Sequence, residues 1–100
     1  MVETTAIPRK HPACSFRVID GQAVIANTET AEVQILNEVG SYVWSLVDGR
    51  RTLDELVPLV RAQLVEAKYE SIPADLTADI AEFLADIAAR GMIEFLPEPR

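Results

Sequence analysis

Few side chains in this 100-residue sequence are placed to do chemistry, and their spacing does not suit catalysis. His11 is the single histidine; no cysteine or carboxylate stands near it at metal-ligand spacing, and a metal site needs several convergent donors. Cys14 is the single cysteine, with no basic neighbour in sequence to activate a thiolate, so it reads as a small buried or half-buried residue. One histidine in an N-terminal segment cannot complete a Ser/His/Asp triad. The four glycines are too dispersed for a phosphate-binding loop. Asp75, Asp79, Glu82 and Asp86 could in principle supply a general acid and base, but their spacing is that of a solvated helix face. The expectation is a non-enzyme with no catalytic residue, no metal and no cofactor.

The charge balance narrows the partners. A net charge of −7 opposes contact with phosphate backbones, whose affinity comes from Lys and Arg displacing counterions. The same charge opposes anionic membrane surfaces, so neither nucleic acid nor membrane is expected. A partner of basic character would suit. A lone cysteine fits a reducing cytoplasm, and neither a secretory signal nor a membrane-length apolar run is present.

The elements that must position any site follow from local signals. Asp20-Gly21 between Ala13–Ile19 and Gln22–Asn27 predicts a two-residue hairpin turn. Glu32-Val33-Gln34-Ile35 alternates as a strand with one face on a core does, giving a three-stranded antiparallel sheet with an unpaired border. Asn37 is a suitable N-cap for a helix whose apolar residues Leu36, Val39, Val43, Leu46 and Val47 share a face. Gly49 can end that helix in the left-handed conformation, and Thr52 with Glu55 forms a capping box for the next. That second helix runs from Leu53 to about Lys68, with an irregularity expected at Pro58. Leu76, Ile80, Phe83, Leu84 and Ile87 mark a third helix over roughly Asp75–Arg90, followed by a strand-like Met92–Phe95. The order predicts an α+β fold of winged helix-turn-helix type: a three-stranded sheet, three helices and a short C-terminal strand. Residues 1–12 are expected to be a flexible arm, 13–95 the domain, and 96–100 a tail.

Leu36-Asn37-Glu38-Val39-Gly40 followed by Trp44, and then Asp48-Gly49-Arg50-Arg51-Thr52 running into Leu53-Asp54-Glu55-Leu56, resembles the PqqD-like family (coenzyme PQQ synthesis protein D). Tyr69, Asp75, Phe83-Leu84 and Gly91-Met92-Ile93 extend the likeness more loosely, so that it covers about Phe16 to Phe95. The resemblance implies a peptide-binding module, a recognition element for ribosomally synthesised and post-translationally modified peptides. Such a chaperone holds the leader of a precursor peptide and presents it to a modifying enzyme, a radical SAM protein in the PQQ case. It further implies that the leader adds as a strand beside the third strand, over a groove walled by the third helix.

The residues support such a mode, since an open border offers unpaired N–H and C=O groups to a foreign strand. The expected peptide-binding set is Glu32, Val33, Gln34, Ile35 and Leu36 on the border, with Ile80, Phe83, Leu84 and Ile87 as wall and Asp79, Glu82 and Asp86 as rim. The same border could pair with itself in a homodimer. The competing reading is a winged-helix DNA-binding regulator, against which the acids of the third helix count.

Overall fold

The computed structural model describes residues 2–70 and 72–96. The chain runs β1 (Ile7–Lys10), β2 (Cys14–Ile19), β3 (Gln22–Asn27), β4 (Val33–Ile35), α1 (Glu38–Leu46), α2 (Leu53–Glu66), α3 (Leu76–Ala89) and β5 (Ile93–Leu96). This is the expected α+β order, with one strand more than expected at the front. Among the described residues no helix is long and apolar enough to cross a membrane.

Local chemistry accounts for the joints. Asp20 and Gly21 both take positive φ, 53° and 79°, which closes the β2–β3 hairpin without splaying its strands. Asn37 caps α1, its side chain accepting from the Gly40 N–H at 2.7 Å. The capping box at the start of α2 is formed as read: the Glu55 N–H donates to the Thr52 hydroxyl, and the Thr52 N–H donates to the Glu55 carboxylate at 3.0 Å. Pro58 sits on an exposed face inside α2, which continues through it to Glu66.

β2, β3 and β4 form one antiparallel sheet with β3 in the centre. Its inner face carries Ala23, Ile25 and Asn27, all buried, against Trp44 of α1 and the apolar faces of α2 and α3. α1 is tied to the sheet by the Ala23 N–H, which donates to the Ser41 hydroxyl at 2.7 Å. Asn27, buried at the end of β3, donates to the Gly91 carbonyl at 2.8 Å and accepts from the N–H groups of Glu29 and Thr30. Its polar atoms are thus satisfied where an unpaired amide would be costly.

The expected flexible arm is not what residues 7–10 form. They make β1, which pairs antiparallel with β5 from Ile7↔Leu96 to Lys10↔Ile93, as a two-stranded ribbon apart from the main sheet. Ile7 is buried, and the Pro8 carbonyl accepts from the Gly49 N–H. The carbonyls of Thr4 and Ala6 accept from the N–H groups of Asp54 and Leu53, which caps the first turn of α2 from outside. Nothing local announces this strand, because its partner lies at the far end of the sequence. Pro8 is tolerated in a two-stranded ribbon whose outer sides carry no ladder. The tail expected over 96–100 lies, beyond Leu96, outside the described residues.

Truncating Ile7 to alanine should therefore cost on the order of 2–4 kcal/mol in urea unfolding, as for a core position. A loss below about 0.5 kcal/mol, the range of surface substitutions, would show that the segment is dispensable.

Candidate functional site

β4 borders the sheet, and its two main-chain sides have different fates. The Leu36 N–H donates to the Ala23 carbonyl at 2.8 Å, and the Glu32 carbonyl accepts from the Asn27 N–H at 2.9 Å. Antiparallel ladders alternate, so Glu32, Gln34 and Leu36 face β3, while the N–H and C=O groups of Val33 and Ile35 point away from it. Among the described residues no strand pairs with that outer side, since β5 is taken by β1.

The side chains of β4 are distributed the other way from expectation. Gln34 pairs with the buried Ile25 and shares its inner face, whereas Val33 and Ile35 are 57% and 66% exposed on the outer face. The alternation is real, but its apolar set does not meet the core; in a strand the assignment of faces turns on a single residue of register. The polar residues on the inner side are half-buried: the Gln34 amide approaches Glu32, and Arg90 at the end of α3 lies 3.8 Å from Glu32 and 3.3 Å from Asp86. Arg90 thereby bridges the residue before β4 to α3.

On the surface of α3, Asp79, Glu82, Phe83 and Asp86 line an open recess. Next to it is a cavity of about 400 Å³, lined by Val39, Gly40, Val43, Tyr69, Ile80 and Phe83 among others. Of the expected wall, Phe83 is half-buried and presents a surface, while Ile80, Leu84 and Ile87 are at most 2% exposed. Leu36 is likewise buried. Leu84 and Ile87 belong to the core and support the wall from behind; Ile80 reaches the cavity as part of its lining. The rim acids Asp79, Glu82 and Asp86 are exposed, as read.

Three features of the site were not read from the sequence. Gly40 lets the Phe83 ring approach α1: a Cβ there would lie 3.1 Å from the ring. The Tyr69 hydroxyl donates to the Glu38 carboxylate at 2.8 Å, linking the α2–α3 connection to the start of α1 beside the cavity. The cavity itself is the third. Only the small residue three positions after the Asn37 cap hinted at close approach. Elsewhere, His11 is engaged locally, its Nδ1 accepting from the Ala13 N–H at 3.0 Å. The Cys14 thiol contacts the Gly91 carbonyl, and burial pushes its pKa up, away from thiolate reactivity.

The profile of the family described as coenzyme PQQ synthesis protein D (PqqD) matches residues 22–93, most of the chain. The chain belongs to the PqqD family. Within PqqD the match begins at the first residue of β3 and ends at the first of β5, so it holds β4 and every residue lining the cavity but leaves out β1 and β2. The fold recurs in two solved structures. TbiB1 in complex with the TbiA(beta) leader peptide has a TM-score of 0.70 at 24% identity, covering 86% of this chain and 94% of that one. Lasso peptide synthetase B1 complexed with the leader peptide has a TM-score of 0.68 at 23% identity, covering 92% of this chain and 100% of that one. Comparison with curated proteins gives no match.

The hydrogen bond to Glu38 favours the neutral phenol of Tyr69 and raises its pKa above the ordinary tyrosine value. Its contribution to stability is present below the unfolded-state pKa of about 10 and is lost as pH rises through the raised folded value. A near-ultraviolet titration should show a tyrosine ionising above the free amino acid's range. Tyr69→Phe should remove that step and Glu38→Gln should shift it downward; an unchanged step in Glu38→Gln would mean that the bond does not hold in solution.

Proposed function

We propose that this PqqD-family chain is a non-catalytic peptide chaperone that binds the leader of a ribosomally synthesised precursor by strand addition to β4 and presents it to a modifying enzyme. The observation that carries the reading is the open border at Val33 and Ile35, in a body that also holds a largely apolar cavity between α1 and α3. Leader peptides in the names of both structural relatives support it. The pathway is PQQ synthesis or a related peptide maturation, with a radical SAM protein as the PQQ-type recipient, and it operates in the cytoplasm. DNA binding finds no support in the comparisons, and the acids of α3 oppose it.

The chemistry of recognition follows from the pleat. A strand laid beside β4 would send alternate side chains to the two faces of the sheet. One set would join Val33 and Ile35 on the outside. The other would point into the groove, toward Phe83 and the cavity, where an apolar anchor fits. The charges of Glu32, Asp79, Glu82 and Asp86 favour Lys or Arg in the segment that runs along the rim, with effects chiefly on association rate and salt dependence.

Calorimetric titration with the leader encoded beside this gene should show saturable binding. Ile35→Pro should abolish it while leaving the fold intact, because the lost N–H points outward and takes no part in the β3 ladder. Undiminished affinity in a folded Ile35→Pro protein would refute strand addition at β4. Combined Asp79→Asn, Glu82→Gln and Asp86→Asn should weaken binding of a basic leader by about tenfold at low salt and flatten its salt dependence; an unchanged salt slope would remove the rim from recognition.

A further inference from the structure

The sheet has a second border, β2, outside the segment that matches the family. The Thr28 N–H donates to the Ala13 carbonyl, so the ladder alternation directs Ser15, Arg17 and Ile19 toward β3 and leaves the N–H and C=O groups of Phe16 and Val18 facing outward. No strand among the described residues pairs with them. Their side chains are 47% and 62% exposed. An exposed edge with large apolar residues is a liability in a lone domain, and proteins commonly cover or charge such borders.

The electrostatics here are opposite in sign to those at β4. The Lys10 ammonium lies 5.4 Å from the centre of the Phe16 ring and 5.0 Å from that of Trp44, and donates to the Val47 carbonyl at 2.7 Å. Lys10 thus joins the β2 border to the α1–α2 turn, where Arg50 and Arg51 stand. Of the acids of this region, Glu94 pairs with Arg9, and Asp48 pairs with Arg51 while accepting the N–H groups of Arg50 and Arg51; Asp20, exposed at the hairpin turn, lies at the far end of the border from Ser15. Arg17 and Arg50, both exposed, have no carboxylate within ion-pair distance among the described residues.

We propose that the β2 border is a second docking edge, which takes an acidic extended segment of a partner protein through the main chain of Phe16 and Val18 and the charges of Lys10, Arg17 and Arg50. The two borders of one small sheet then select guests of opposite charge and can be occupied together. A second copy of this chain is a poorer occupant: β2 against β2 would set Arg17 near its counterpart, and like charges across a strand pair destabilise it, while β2 against the β4 of another copy would bring together two bodies each of net charge −7.

The test is residue-resolved. The ¹⁵N-labelled full chain is titrated at low salt with a capped Glu-Val repeat hexapeptide and, separately, with its Lys-Val counterpart. The acidic peptide should shift the amides of Phe16, Val18 and Arg50; the basic one should act at Val33 and Ile35. Val18→Pro, or Arg17→Glu combined with Arg50→Glu, should weaken the acidic peptide by about tenfold or more and leave the basic one unaffected. Acidic peptide that perturbs no β2 amide at millimolar concentration, or that acts at β4, would overturn the proposal. So would β2 shifts that depend on protein concentration without peptide, since they would assign the border to self-association. Failure of the basic peptide alone would bear on leader binding, not on this edge.

Discussion

Everything about the borders of this sheet follows from the hydrogen bonding of β3. It is paired on both sides, by β2 and β4, and among the described residues no fourth strand joins. The chain does possess another strand that could have closed a border, but β5 is held by β1 in a separate ribbon. A three-stranded sheet in that situation cannot satisfy its outer main-chain groups internally. Openness is therefore a property of the topology, and the side chains decide what each opening attracts.

Magnitudes show why an open border needs help from its surroundings. Val33 and Ile35 each offer one N–H and one C=O. At about 1 kcal/mol net per bond, the main chain contributes on the order of 4 kcal/mol, against about 8 kcal/mol for micromolar affinity. A large apolar side chain seated in the cavity adds roughly 1.5–3 kcal/mol. Rim charges add speed more than strength. If the proposed strand addition holds, selectivity falls mainly to the cavity between α1 and α3, whose shape depends on the contact of Phe83 with Gly40.

Sequence reasoning succeeded where the controlling chemistry is local. Asp20-Gly21, the Asn37 cap and the Thr52/Glu55 box each involve residues a few positions apart, and all are present in the structure; Gly49 has its positive φ, but α1 ends before it, at a Val47 cap in extended conformation. It failed where the controlling contact is distant. The pairing of Ile7 with Leu96 left no periodic trace in a segment holding Pro8 and Pro12. The faces of β4 were misassigned because alternation reports a period of two without saying which set points inward; the register of Gln34 against Ile25 supplies that. At the groove, exposed acids were readable from helical spacing. The division of the apolar stripe into a presented Phe83 and buried Ile80, Leu84 and Ile87 required the packing of all three helices.

The β1–β5 ribbon has a bearing on how such a module can be used. Because Ile7 and Leu96 are direct partners in an antiparallel pair, the first and last strands of this body run side by side, with Thr4 and Ala6 ahead of them bonded to α2. β4 takes no part in that ribbon. A larger polypeptide joined beyond either strand therefore attaches to the ribbon and not to the open border of the sheet.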